Sequence, residues 1–246
     1  MKVYLAGQWP WAEQGIYNKE INQKLYVLES FYYIKDWMFP YIENHWEFLL
    51  DSGAFSFFGG TKVDWGKYVD KYIQFINEHD IKQFFELDLY SVIGVKETEK
   101  LRAKIESKTQ KQSIPVFHRR LGIDYYKMLC AEYDYIAISA SGMYESKWVR
   151  QDPEKLKMVI RYANNQGVKV HGLGYTKLPL LKEMKFHSID STAWIYGNRG
   201  GFVYTHQRGE MKKTKVTKGK RLKAKDVAIH NFKEWVKLQK YANVYL

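Results

Sequence analysis

The chain has 246 residues, 46% of them hydrophobic and 27% charged, which excludes a disordered or fibrous polymer and suffices for one sizeable core or two small ones. Lys and Arg number 39 against 27 Asp and Glu, a net charge of +12 that points to a polyanionic partner. One cysteine, Cys130, excludes an internal disulfide framework and any Cys-rich zinc or iron–sulfur centre.

Taken in chain order, short apolar runs alternate with longer amphipathic ones. The runs are Val3–Ala6, Tyr26–Ile34, Phe48–Leu50, Phe84–Leu87, Ile114–Phe117, Tyr135–Ser139, Val168–His171 and Ser188–Ile189. Between them the spacing predicts helices over Trp65–Asn77 (with Asp64 as N-cap), Lys96–Lys108, Asp124–Glu132, Pro153–Asn165 and Lys177–Met184. Eight strand candidates separated by helices predict an α/β fold of parallel βαβ units, and the length suits a (β/α)8 TIM barrel; an open doubly wound sheet is the alternative. The barrel is expected over residues 1–205. From His206 to Lys225 there are nine Lys or Arg and one Glu, a net of +8 in twenty residues with no apolar period. This segment is expected to be an exposed arm or loop, followed by a closing helix over Asp226–Tyr241, so that 206–246 packs on the barrel. Its Lys212, Lys213, Lys215, Lys218, Lys220, Arg221 and Lys223 are expected to grip a phosphate backbone. No apolar run is long enough for a signal peptide or a membrane span, and the expected compartment is a reducing cytoplasm.

In a parallel barrel the C-terminal strand ends converge, and catalysis sits there. Those ends supply Asp51-Ser52-Gly53-Ala54-Phe55, Asp88, His118-Arg119-Arg120, Ser139-Ala140-Ser141-Gly142, His171-Gly172-Leu173-Gly174-Tyr175-Thr176 and Asp190-Ser191-Thr192. A single strand-end Asp is an ordinary turn or cap residue; three on one rim raise one another's pKa unless used or compensated. Gly53, Gly172 and Gly174 remove side chains beside strand ends, with Phe55 and Tyr175 adjacent, which suits a slot for a flat heterocycle. The same residues suit plain glycine turns with core aromatics, and both readings stand. No two histidines are spaced for a helical metal pair, and no metal site is expected.

Asp51-Ser52-Gly53-Ala54-Phe55 resembles the Asp-Ser-Gly-Gly-Phe signature of the tRNA-guanine transglycosylases, and Asp88, Gly172-Leu173 and Asp190 follow in that family's order. The brevity of the chain and Ile189-Asp190-Ser191-Thr192 resemble still more the 7-deazaguanine DNA transglycosylases of phages and bacteria. The resemblance covers about residues 45–200. It implies a β/α barrel that exchanges guanine in DNA for a 7-deazaguanine base without a cofactor, acting in the cytoplasm (that of the host if phage-encoded). It implies Asp190 as nucleophile and Asp51 as general acid/base. Ser52, Asp88, His118 and the backbone at Gly172 and Leu173 would bind the base, with Phe55 stacking on it. Ser191 and Thr192 stand where their hydroxyls would orient the Asp190 carboxylate. The family's zinc cysteines have no counterpart after Cys130, Ser56 and Thr176 depart from its motifs, and His118-Arg119-Arg120 replaces a Gln-Gly pair. The alternatives are modification of tRNA, or a non-catalytic nucleic-acid-binding barrel.

Overall fold

A computed structural model describes residues 1–7, 24–44, 46–57, 63–140, 151–175, 178–195, 202–215 and 222–246. Among these residues, seven parallel strands form one curled sheet in the order β3-β2-β1-β7-β6-β5-β4. They are β1 (Lys2–Ala6), β2 (Leu25–Ser30), β3 (Trp46–Asp51), β4 (Val116–Phe117), β5 (Tyr135–Ser139), β6 (Lys169–Leu173) and β7 (Ser188–Ser191). The strands read as apolar runs rather than alternating ones because both of their faces are covered. Val3, Leu5, Val27, Phe48, Leu50, Ile136 and Val170 pack outward into the main core with the helices. Tyr4, Ala6, Leu28, Leu49, Phe85, Ile114, Val116 and Ala137 fill a second, smaller core on the concave face.

The edges β3 and β4 are linked through the apolar run at Phe84. Leu50 N–H donates to Gln83 O at 3.0 Å and Phe85 N–H to Leu50 O at 2.9 Å, while Ile114 N–H donates to Phe84 O at 2.8 Å. These are isolated bridges, Leu50 with Phe84 and Phe85 with Ile114. The expected eight strands are thus seven, and the Phe84–Leu87 run contributes two bridges instead of a ladder. The cause is local. Pro115 has no N–H to offer, and the Val116 N–H donates at 2.6 Å to the Glu86 carboxylate rather than to backbone.

The helices lie largely where the spacing predicts. Phe39–Asn44 (α1) was not anticipated. Trp65–Glu78 (α2) starts at Asp64, whose side chain accepts the Lys67 N–H. Tyr90–Ile93 (α3), Val95–Thr109 (α4), Gly122–Glu132 (α5) and Pro153–Asn164 (α6) follow, the last capped by Asp152. Leu181–Met184 (α7) is all that is helical in the described part of the Lys177–Met184 prediction besides a 3-10 turn. Tyr26–Ile34 is likewise split, β2 giving way to a 3-10 turn at Phe31–Tyr33.

The basic segment is not the expected loop where it is described. Phe202–Gln207 (β8) and Glu210–Lys215 (β9) form an antiparallel hairpin, so the 205–206 boundary falls inside β8. The last helix, Ala224–Tyr245 (α8), supplies the other edge of β8 with side chains: Asn231 Oδ1 accepts the Tyr204 N–H at 2.8 Å and Glu234 Oε2 the His206 N–H at 2.7 Å. The helix runs antiparallel to β1. Phe232 packs on Trp194, whose indole N–H reaches Ala6 O at the C-terminal end of β1. Gln239 lies toward the other end and donates to Val3 O and Tyr26 O, each at 2.7 Å. No helix among the described residues is long and apolar enough to cross a membrane.

Gln239 is buried and ties α8 to two neighbouring strands. Gln239→Leu strands both carbonyls in an apolar seam, and chemical denaturation should show a loss of about 1–3 kcal/mol.

Candidate functional site

The strands end together on one rim, and the opposite end of the concave face is closed. There Lys2 pairs with Glu47, and the Tyr4 hydroxyl donates to Gln83 Oε1 at 3.3 Å.

Asp190 sits in β7 opposite Tyr4 of β1, on the concave face and almost wholly buried. Its Oδ1 accepts the Gly174 N–H at 2.6 Å and lies 3.1 Å from His171 Nε2. His171 Nδ1 lies 2.6 Å from Ser188 Oγ, which also bonds the Tyr135 hydroxyl. The donor directions follow from chemistry. With the carboxylate ionised and the imidazole neutral, His171 donates from Nε2 and accepts at Nδ1 from Ser188, which accepts from Tyr135. Every hydrogen in the chain Tyr135–Ser188–His171–Asp190 points toward the carboxylate. Strand register makes this possible, since His171 of β6 faces Ser188 of β7 directly.

Asp51 ends β3, level with Ser30 of β2. Burial pushes its carboxyl up to about 6, the Gly53 N–H at 3.0 Å pulls it down, and the charges of Asp190 and Asp88 add to the rise. Asp51, Asp88 and Asp190 thus share one rim. Asp88 is held by His118, whose Nε2 is 2.8 Å from each carboxylate oxygen and whose ring packs on Tyr90 with centroids 4.1 Å apart. Glu29, which the sequence reading overlooked, is buried behind this rim, and desolvation pushes it up to about 7.

The other expected site residues divide. Ser52 is buried and its carbonyl accepts the Tyr68 hydroxyl at 2.6 Å, whereas Phe55 stands 78% exposed on the turn Ala54–Phe57. Leu173 lines the concave face, and its carbonyl accepts the Ala140 N–H. The glycine reading needs correction. A Cβ on Gly172 would meet the Phe186 ring at 3.0 Å, and one on Gly53 would meet Tyr32 and Tyr68 at 2.9 Å. These glycines make room for the protein's own side chains, not for a ligand, and Tyr175 is buried against Phe186 rather than open for stacking. Gly174, at φ +69°, delivers its N–H to Asp190. The Ser191 hydroxyl caps Ala193 N–H, and the carboxylate is oriented by His171 and Gly174 in its stead. Ser141, Gly142, Thr176, Lys218, Lys220 and Arg221 lie outside the described residues.

Lys212, Lys213 and Lys215 are exposed on β9, and Lys223 precedes α8. Because β8 follows α8 from Asn231 to Tyr241, the Phe202–Lys215 pair lies at the rim end, with the Lys213 ammonium 3.7 Å from the Phe202 ring centroid. The basic strand therefore climbs the outside of the sheet toward the carboxylates. Among the described residues no three His, Cys, Asp or Glu are grouped to hold a metal ion.

No protein-family model and no curated protein matches the chain.

The mutual charge of the two carboxyls can be read directly. Asp190→Asn removes a neighbouring anion, so the Asp51 carboxyl should titrate below its value of about 6. A 13C NMR titration of labelled aspartates checks the direction.

Proposed function

We propose that the chain is a transglycosylase that exchanges guanine in DNA for a 7-deazaguanine base through a glycosyl-aspartate intermediate. The observation that carries the reading is the pairing on one rim of two aspartates in opposed environments: Asp190 met by His171 and the Gly174 N–H, and Asp51 holding its proton up to about pH 6. The bridges at Phe84 and Phe85 further support reading the curled sheet as a (β/α)8 barrel whose fourth stave is reduced to a few hydrogen bonds.

In this mechanism Asp190 attacks C1′ of the target nucleotide as the bond from C1′ to the guanine nitrogen breaks, and Asp51 gives its proton to the departing base. The carboxylate traps the oxocarbenium-like charge as a covalent ester. The entering 7-deazaguanine then loses a proton to Asp51 and displaces Asp190, which restores the starting configuration. His171 is a positioning residue. Both hydrogen bonds to the Asp190 carboxylate from described residues fall on Oδ1, which leaves Oδ2 as the attacking atom. Asp88 and His118 read the base edge, and Phe55 stacks on it. The lysines of β9 and Lys223 hold phosphates along the path to the rim.

The test is exchange of labelled guanine into DNA, with tRNA as the comparison. Asp190→Asn should abolish exchange and keep DNA binding. Asp51→Asn should cost ~10²–10⁴-fold. Where base departure limits the rate, wild-type exchange should fall as pH rises through about 6, because the acid loses its proton there, and Asp51→Asn should lose that limb. His171→Phe should lower kcat by ~10²-fold with KM for DNA unchanged. Exchange into tRNA but not DNA would reassign the substrate, and full activity in Asp190→Asn would sink the mechanism.

A further inference from the structure

The loops that follow β2 and β3 carry aromatics that the proposed chemistry does not use. Tyr32 is 51% and Tyr33 55% exposed, beside Phe55 on the next loop. These three are among the ten exposed large apolar side chains of the described residues. The informative departure from ordinary burial is a cluster of this kind at one place.

The tyrosines are braced. Tyr32 meets Tyr33 and Phe57 edge-to-face, each with centroids 4.9 Å apart, and Phe57 rests on Trp65 at 5.7 Å and Tyr68 at 5.2 Å. Tyr68 in turn packs on Phe31 and donates to Ser52 O. Gly53 locks this lattice to the catalytic turn, since a Cβ there would come within 2.9 Å of the Tyr32 Cβ. Rigid aromatic faces thus stand one turn from Asp51.

The charge pattern selects the occupant. Asp51, Asp88 and Asp190 put carboxyl groups at the centre of the rim, which disfavours a phosphate backbone there. Basic groups flank it instead: Lys213 and Lys215 beyond β7, and Arg119 and Arg120 after β4, both arginines exposed. With β3 linked to β4 through the bridges at Phe84 and Phe85, two arcs join these basic groups; Tyr32, Tyr33 and Phe55 stand on the one that carries β1, β2 and β3, and β6 and β5 make the other. Aromatic faces on the first arc suit bases, and stacking holds bases without regard to sequence.

We propose that Tyr32 and Tyr33 form a stacking platform for unpaired nucleobases flanking the reacting nucleotide, so that the chain takes its substrate as a single or locally opened strand. The proposal rests on the reading that a nucleic-acid base enters the Asp51–Asp190 site.

The experiment is fluorescence anisotropy with a labelled single-stranded DNA 12-mer carrying one central guanine, its blunt duplex, and the same strand with abasic sites flanking the guanine. The proteins are the wild type, Tyr32→Ala/Tyr33→Ala and Tyr32→Phe/Tyr33→Phe; the alanine pair keeps the Cβ against Gly53. The wild type should prefer the single strand to the duplex. The alanine pair should lose roughly ten- to a hundredfold on the intact strand, keep the salt slope, and lose almost nothing on the abasic strand. The phenylalanine pair should bind as the wild type does. An alanine pair that binds as tightly as the wild type, or that loses as much on the abasic strand, overturns the platform and leaves base exchange standing. A wild type that binds neither strand nor duplex removes the nucleic-acid reading and the platform with it.

Discussion

A carboxylate taken out of water must be met by donors, or it takes up a proton and ceases to be an anion. In this molecule that constraint falls on Asp190, and the concave face is arranged around it. The Gly174 N–H and His171 Nε2 both reach Oδ1, and Ser188 and Tyr135 complete a chain whose donors all point one way. Each link depends on the sheet. His171 and Ser188 face each other only because β6 and β7 are parallel and in that register, and Gly174 reaches back only because its backbone adopts positive φ.

Asp51 answers the same constraint differently. It has the Gly53 N–H but no imidazole, and two neighbouring carboxylates press on it, so it retains its proton to about pH 6. Two aspartates a rim apart thus stand in different environments, and it is this contrast on which the proposed division into nucleophile and general acid rests. The Asp88–His118 pair adds a third carboxylate already matched to a partner.

Much of this was legible in the sequence, and the physics explains which part. Parallel strands buried on both faces appear as unbroken apolar runs, so seven strands and the three rim aspartates could be read from the chain. The hairpin could not. β9 reads Glu-Met-Lys-Lys-Thr-Lys, exposed on both faces apart from a partly covered Met211, and shows no alternation; its order comes from pairing with β8, itself anchored by Asn231 and Glu234. The Phe84–Leu87 run reads like any other strand, and it is the Val116 N–H turning to Glu86 that helps reduce it to bridges. Glycines 53 and 172 were ambiguous because sequence cannot say which way an absent Cβ points. His171 in an apolar run looks like a core residue. Its partner Ser188 lies seventeen positions away and becomes adjacent only through strand register.

The most direct test of the central claim is to trap the intermediate. The protein is incubated with guanine-containing DNA in the absence of an entering base, denatured, digested and mapped by mass spectrometry. The account predicts a deoxyribose-linked strand esterified to the peptide that contains Asp190, and its loss in Asp190→Asn. An adduct on the Asp51 peptide, or one that survives Asp190→Asn, would contradict it.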